Sequence, residues 1–258
     1  MTRQDVQVQY SCLRNKVVIV TGGATGIGED IVRAFSNQSC CVAFIDIQKE
    51  AGELLMDDCN SNGFNVSFYL CDIGHISDLQ QVIYQIEKDL GFASILINNA
   101  ADDTRSKSAD LSADVWDQSM AINLRPHFFT SQAICKGMAS LGGGAIINIS
   151  SVVWHMGAID LPHYAAAKAG IIGLTRSLGR EFGKYNIRVN AIEPGAVMTK
   201  RQRKLWWTKQ SKIDEVVARQ AIGKSLSGKD VANAALFLAS AQASMITAQT
   251  LTVDAGLS

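Results

Sequence analysis

The chain has 258 residues, of which 47% are hydrophobic and 19% are charged, a composition typical of a folded globular protein rather than a disordered one. It carries 24 basic and 24 acidic side chains, so its formal net charge is zero. This balance argues against the broad basic surface of a protein that binds nucleic acid or an anionic membrane. We therefore expect a small-molecule ligand, no nucleic-acid partner and no membrane partner.

The amino-terminal segment and the cysteines indicate the compartment. The first ten residues, MTRQDVQVQY, lack the apolar core of a secretion signal. The six cysteines form no C-x-x-C pair and have no metal-ligand spacing, so we expect free thiols, no metal site and a cytoplasmic protein. Residues 1–14 are predicted to be a loose tail, and residues 15–258 a single domain.

Seven short apolar runs, rich in β-branched residues, alternate with amphipathic segments. Nearly continuous hydrophobicity is typical of parallel strands that are buried on both faces, and apolar residues three and four apart are typical of helices. The pattern predicts an α/β fold, a doubly wound parallel sheet of about seven strands with helices on both faces, which is a Rossmann fold. The runs lie at 16–20, 41–45, 65–70, 94–98, 145–149, 187–192 and 250–253.

A glycine-rich segment, TGGATGIG, follows the first predicted strand and leads into a helix predicted to start near Glu29. Glycines allow the backbone to turn tightly and approach a pyrophosphate, and the helix N-terminus offers free N–H groups to it. A glycine cluster alone is also typical of ordinary turns, but its place after the first strand favours a dinucleotide site. The candidate cofactor residues here are Gly22, Thr25, Gly26, Ile27 and Gly28.

Asp46 ends the second predicted strand, eighteen residues after Gly28. A carboxylate at this place can accept hydrogen bonds from the adenosine ribose and would repel a 2′-phosphate. The nearest basic residue is Lys49, so the sequence predicts NAD as the cofactor. The alternative is that Asp46 caps the helix that begins in QKEAGELL.

Tyr164 and Lys168 are four residues apart and are predicted to share one face of a helix. A cation near a phenol lowers its pKa, so we expect Tyr164 to accept a proton from an alcohol while hydride leaves for a nicotinamide. Ser151 lies thirteen residues earlier, at the end of a predicted strand. Active sites of open α/β sheets form at such strand ends.

Taken together, these motifs resemble those of the short-chain dehydrogenase/reductase family along the chain from about residue 14. The resemblance implies a catalytic tetrad in which Tyr164 is the general base, Lys168 lowers its pKa and holds the nicotinamide ribose, Ser151 orients the substrate oxygen, and Asn123 fixes a water. Two positions depart from the family pattern, Ala101 and Ala255, and neither removes a reacting group. Further cofactor residues implied by the resemblance are Asp72, Ile73, Asn99, Val197 and Thr199, the last two after Pro194-Gly195.

Three loop segments resemble those of bacterial aldose 1-dehydrogenases in the family, the D-xylose enzymes especially. They are DDTR at 102–105, VVWH at 152–155 and TKRQRKLWW at 199–207. The resemblance implies oxidation of the anomeric hydroxyl of an aldose to the lactone, with Asp102, Trp154 and His155 as candidate substrate residues. The alternative is that these loops are merely polar and that the tryptophans shield a lid or a subunit contact.

A run of five basic residues without an acidic one lies between Lys200 and Gln210. It falls within a predicted substrate lid at about 199–220. Arg201 and Arg203 are candidates for recognising an anionic sugar, since guanidinium groups bind such anions bidentately. The alternative is an ordinary solvated helix face.

Rival functions stay open at this point. One is a reductase of a keto or 3-oxoacyl substrate that uses NAD(P)H, against which Asp46 argues. Another is a cofactor-binding regulator without catalysis, against which the intact tetrad argues, and a third is a structural subunit of a hetero-oligomer. The small apolar residues of the helix that carries Tyr164 and Lys168, together with the family resemblance, predict a homotetramer.

Overall fold

The computed structural model describes residues 8–258. Their centre is one parallel sheet of seven strands in the order β3-β2-β1-β4-β5-β6-β7. The predicted doubly wound α/β fold is confirmed. The strands are β1 (Val17–Thr21), β2 (Cys41–Asp46), β3 (Asn65–Leu70), β4 (Ile95–Asn98), β5 (Gly144–Ile149), β6 (Ile187–Pro194) and β7 (Thr250–Val253).

Ten α-helices of the described part connect these strands. They are α1 (Gly26–Ser36), α2 (Lys49–Ser61), α3 (Ile76–Leu90), α4 (Ala113–Asn123), α5 (Arg125–Ser140), α6 (Val153–Met156), α7 (Pro162–Phe182), α8 (Lys200–Leu205), α9 (Gln210–Arg219) and α10 (Gly228–Ala239). None of the helices within residues 8–258 is long and apolar enough to cross a membrane.

The sheet separates two hydrophobic cores because neighbouring residues of each strand point to opposite faces. In β1, Val18 and Val20 pack with α1, α2 and α10, whereas Ile19 packs with α3, α5 and α7. All three side chains are fully buried. Burial on both faces explains why the strands are almost continuously apolar in the sequence.

The order of the strands reverses beside β1, which pairs with β2 on one side and with β4 on the other. In open α/β sheets, ligands bind at such a switch point, outside the carboxyl ends of the strands. The loops after β1, β2, β4, β5 and β6 all meet at this edge. The fold therefore gathers the predicted site residues at one end of the sheet.

Part of the segment predicted to be a loose tail packs against the domain. The backbone N–H of Tyr10 donates to Oε1 of Gln38 at 2.7 Å, and Leu13 is buried in the core beside α1. The predicted boundary at residue 15 is therefore too late, because an apolar side chain ahead of it is needed to complete the core. Residues 1–7 lie outside the described part.

Candidate active site

Glycines shape the loop between β1 and α1. Gly22 and Gly26 have φ angles of +66° and +63°, which residues with a Cβ adopt only at a cost. A methyl group at Gly28 would lie 1.8 Å from the carbonyl oxygen of Gly22, so only glycine allows the helix to approach the loop this closely. The helix begins at Gly26, earlier than predicted, with Thr25 at its N-cap position and Ile27 in its first turn. Its first N–H groups suit a phosphate.

Asp46 ends β2 and is only 7% exposed. Its carboxylate accepts the backbone N–H of Ala24 at 2.9 Å and that of Gln48 at 3.0 Å. Gln48, not Asp46, occupies the N-cap position of α2, so the alternative role of Asp46 as a helix cap is wrong. The carboxylate borders the glycine loop, which is the place of the ribose-binding acid in dinucleotide folds.

The loops after β3 and β4 complete this half of the site. Asp72 accepts the N–H of Gly74 at 2.8 Å, and the neighbouring Ile73 is buried. The side-chain amide of Asn99 donates to the carbonyl oxygens of Thr21 at 3.1 Å and Gly22 at 2.9 Å. Asn99 thereby clamps the start of the glycine loop to the end of β4.

These features fit a nicotinamide dinucleotide. Where Gly28 approaches Gly22, the glycine loop has room only for backbone atoms, and the start of α1 provides N–H groups. The carboxylate of Asp46 lies beside both. Val197 and Thr199 follow β6 on the other side, where Thr199 lies 3.3 Å from the position of a Cβ at Gly26. The predicted cofactor residues thus line one continuous edge of the sheet.

Tyr164 and Lys168 lie on one face of α7, as predicted. The Lys168 ammonium is 5.2 Å from the centroid of the Tyr164 ring and donates to the carbonyl oxygen of Ile149 at 2.9 Å. Lys168 is 1% exposed, so the end of β5 holds this cation inside the protein.

The pKa values of this pair differ from the prediction. Burial raises the pKa of Tyr164, Asp103 raises it further, Arg201 lowers it and Asp102 raises it. Burial also lowers the pKa of Lys168 to about 7, against a smaller upward effect of Asp103. The Tyr164 pKa is therefore raised in this structure and not lowered as predicted, because the loss of hydration outweighs the downward effect of Arg201.

Ser151 lies two residues beyond β5, with its hydroxyl oxygen accepting the N–H of Val153 at 3.3 Å. Asn123 ends α4 and is fully buried. Its side chain accepts the backbone N–H of Asp102 at 2.9 Å and donates to the Asp102 carbonyl at 3.0 Å and to Ser119. The side chain of Asn123 therefore holds the loop that carries Asp102.

The loop after β4 is joined to α8 by charged and polar contacts. Arg201 forms ion pairs with Asp103 and, at 3.2 Å, with Asp102, and Gln202 donates to Asp103. The guanidinium of Arg105 lies 4.5 Å from the centre of the Trp206 ring. Because two carboxylates already offset the charge of Arg201, it is poorly suited to bind an anionic substrate.

Arg203 is exposed on α8, and the predicted lid consists of α8, α9 and the turn between them. Thr199 caps α8 by accepting the N–H of Gln202 at 3.2 Å.

Trp154 and His155 lie on α6, directly after Ser151. The indole N–H of Trp154 donates to Glu193, and His155 Nε2 is 3.7 Å from the same carboxylate. Glu193 was not predicted as a site residue, although an acidic residue in a mostly apolar strand was a visible signal.

Asp103 and Gln202 were also missed as site residues, although both lie inside segments singled out for their resemblance. They could have been predicted because they are the sequence neighbours of Asp102 and Arg201. Of the two departures from the family pattern, Ala255 has a φ of +58° and so carries strain that glycine would avoid.

Comparison with known proteins agrees with this geometry. The family described as enoyl-(acyl carrier protein) reductase matches residues 22–258. A solved short-chain dehydrogenase/reductase from Serratia marcescens superposes with a TM-score of 0.88 at 30% identity, over 95% of this chain and 99% of that one. The chain belongs to the short-chain dehydrogenase/reductase family. It is accordingly an oxidoreductase of CH–OH groups that uses a nicotinamide cofactor.

Two curated relatives in this family are named for sugars. The chain is 39% identical over 250 residues to the "probable galactose dehydrogenase" of Rhizobium meliloti, and 39% identical over 247 residues to the D-xylose 1-dehydrogenase of Caulobacter vibrioides. Each alignment covers 96% of this chain and 97% of the relative. The chain is also 35% identical to a 3-oxoacyl-[acyl-carrier-protein] reductase of Chlamydia pneumoniae, over 95% of this chain and 98% of the relative.

Proposed function

We propose that this short-chain dehydrogenase oxidises the anomeric hydroxyl of an aldose to the lactone and reduces NAD⁺. The observation that carries the proposal is the polar cluster of Asp102, Asp103, Arg201 and Gln202 beside Tyr164, whose charged members lie close enough to the phenol to shift its pKa. Carboxylate, guanidinium and amide groups are suited to bind the several hydroxyls of a sugar. The two relatives named for galactose and xylose support the same substrate class.

The proton step is assigned to Tyr164. A bound nicotinamide supplies the hydride acceptor at C4 of its ring, and Tyr164 takes the proton of the sugar hydroxyl. Lys168 holds the nicotinamide ribose, and Ser151 orients the hydroxyl that reacts. Since burial raises the pKa of Tyr164, oxidation is expected to speed up as the pH rises above neutrality.

NAD is the proposed cofactor because of Asp46. The carboxylate is nearly buried and no arginine or lysine contacts it within the described residues, so a 2′-phosphate would meet an uncompensated negative charge. The proposed lid, residues 199–220, covers the sugar, and the paired charge of Arg201 favours a neutral aldose over an anionic one.

The test is a substrate panel followed by the absorbance of reduced nicotinamide. Neutral pentoses and hexoses, uronates, sulfo-sugars and hydroxyacyl thioesters are each offered with NAD⁺ and with NADP⁺. Turnover of a neutral aldose with NAD⁺ is the expected result. The second candidate, reduction of a 3-oxoacyl substrate, is favoured by the acyl-carrier-protein reductase relative, and it would replace the first if only the acyl substrates react.

We also propose that the protein is a homotetramer in the cytoplasm. The helix α7 presents small residues that allow close helix packing, and we place it at a subunit interface of a homotetramer. Light scattering at micromolar concentration tests this, and a monomeric mass would contradict it. The free cysteines suit the reducing cytoplasm.

A further inference from the structure

Glu193 is a buried carboxylate for which the proposed reaction has no role. It lies at the next-to-last position of β6 and is 4% exposed. A buried carboxylate is costly unless hydrogen bonds compensate for its lost hydration. Its partners therefore indicate what it does.

Three side chains of the described part surround this carboxylate. One oxygen accepts the indole N–H of Trp154. The other accepts the hydroxyl of Thr252 at 3.2 Å and lies 3.7 Å from Nε2 of His155. The rings of Trp154 and His155 pack edge to face with their centroids 4.9 Å apart. The carboxylate thus fixes the ring of Trp154, and the ring of His155 packs against it beside the same carboxylate.

The same end of β6 also holds the segment that carries Ser151. The backbone N–H of Val152 donates to the carbonyl oxygen of Pro194 at 3.2 Å, and the N–H of Val153 donates to the hydroxyl of Ser151 at 3.3 Å. Glu193 adds side-chain bonds to this backbone contact. A change at Glu193 is therefore transmitted to the residues directly after Ser151.

We propose that Glu193 is a positioning residue that sets sugar affinity by fixing the rings of Trp154 and His155 beside Ser151. This inference rests on the proposed aldose oxidation. Trp154 is held at its N–H end yet stays 40% exposed, so its apolar ring face is available to the C–H face of a sugar. Glu193 itself, buried behind these rings, acts through them without touching the substrate.

The test is a double-mutant cycle with steady-state kinetics on the best aldose of the panel. Glu193→Ala is expected to raise KM for the sugar about tenfold, equivalent to ~1.4 kcal/mol, while kcat and KM for NAD⁺ stay nearly unchanged. Glu193→Gln keeps an oxygen that accepts the indole N–H and is expected to recover most of the affinity. In a Trp154→Phe background, Glu193→Ala is expected to add much less than it does alone, because the two act through one contact.

Thr252→Val is the matched control, since Thr252 donates to the same carboxylate but lies on β7 and not on α6. It is expected to leave sugar KM near the wild-type value. Additive effects of Glu193→Ala and Trp154→Phe, or an unchanged sugar KM in both Glu193 variants, would overturn the inference while aldose oxidation by the wild type stands. If Glu193→Ala does not fold, Glu193→Met, which keeps much of the side-chain volume but has no carboxylate oxygen to accept the indole N–H, replaces it in the wild-type and Trp154→Phe backgrounds. A wild type that oxidises no aldose would overturn the proposed function, and this inference with it.

Discussion

Arg201 on α8 and Asp103 after β4 form an ion pair that acts electrostatically on Tyr164. The carboxylate of Asp103 raises the pKa of the phenol and the guanidinium of Arg201 lowers it, in addition to the larger upward effect of burial. The pair therefore joins two functions. It holds the proposed lid to the loop after β4, and it adjusts the group that is proposed to accept the proton.

Opposite substitutions in this pair are expected to shift the pH dependence of oxidation in opposite directions. Asp103→Asn removes the charge that opposes the phenolate, so the rise of kcat/KM with pH moves to lower pH by about one pH unit. Arg201→Gln moves it to higher pH. Both variants lose the ion pair and are expected to raise KM for the sugar.

Arg203→Gln is the matched control for these two variants, because Arg203 is an exposed basic residue of the same short helix. Its pH profile is expected to coincide with that of the wild type. Shifts of Asp103→Asn and Arg201→Gln in the same direction would show that the ion pair does not act on Tyr164 through its charges.

Tyr164→Phe is expected to lower kcat by about 10²–10⁴-fold, because the phenol is the proposed proton acceptor. Binding of NADH, measured by fluorescence titration, is expected to stay nearly unchanged, since only one hydroxyl is lost. A Phe variant that retained more than about a tenth of the wild-type kcat would exclude Tyr164 as the base.

Lys168→Met is expected to abolish turnover and to raise the free energy of unfolding at pH 6. Burial lowers the pKa of Lys168 from 10.5 to about 7. The unfolded chain therefore binds a proton more tightly than the folded protein does, and this difference in proton affinity destabilises the folded state at pH 6.

The destabilisation of the folded state by Lys168 depends on pH. It is fully present below pH 7 and disappears as the pH rises to about 10.5. Urea unfolding at pH 6 and pH 10 is expected to show that Lys168→Met raises the free energy of unfolding, and by less at pH 10 than at pH 6. At both pH values the loss of the bond to the Ile149 carbonyl lowers the free energy of unfolding of the variant and so reduces the gain. An equal effect at both pH values would contradict the lowered pKa of Lys168.

Asp46→Ala is expected to reduce the preference for NAD⁺ mainly by improving kcat/KM with NADP⁺. Removing a nearly buried carboxylate takes away its repulsion of a 2′-phosphate, and each ~1.4 kcal/mol changes the preference tenfold. The ratio of kcat/KM for the two cofactors, in the wild type and the variant, is the measurement. Equal wild-type efficiency with both cofactors would refute the role of Asp46.

Local sequence patterns predict most of the sheet and the residues on its carboxyl edge. Strands that are buried on both faces are continuously apolar, so their positions follow from local runs of apolar residues, and the run predicted at 41–45 lies within the buried strand β2. The glycine loop and the spacing of Tyr164 and Lys168 are also local, because the backbone geometry they need depends on near neighbours. The packing of Leu13 depends on distant parts of the chain, and the tail prediction missed it.

Contacts between distant segments could not be predicted from the sequence. The ion pairs of Arg201 are one case, because its partners, Asp102 and Asp103, lie about a hundred residues away in the sequence. The pKa of Tyr164 was predicted from Lys168 alone, whereas burial by the whole fold is the larger effect. The proposed role of Glu193 depends on its contacts with Trp154 and His155, and no sequence pattern predicts that these residues lie beside it.

The most direct test of the proposed function uses an aldose that carries deuterium only at C1. The wild-type enzyme, NAD⁺ and either C1-deuterated D-xylose or D-galactose are incubated, and the products are examined by NMR and mass spectrometry. We predict that the deuterium appears at C4 of the reduced nicotinamide and that the sugar product is the lactone or the aldonate formed by its hydrolysis. Unlabelled NADH with a keto-sugar product, or no NADH from any aldose while a 3-oxoacyl substrate is reduced, would contradict anomeric oxidation.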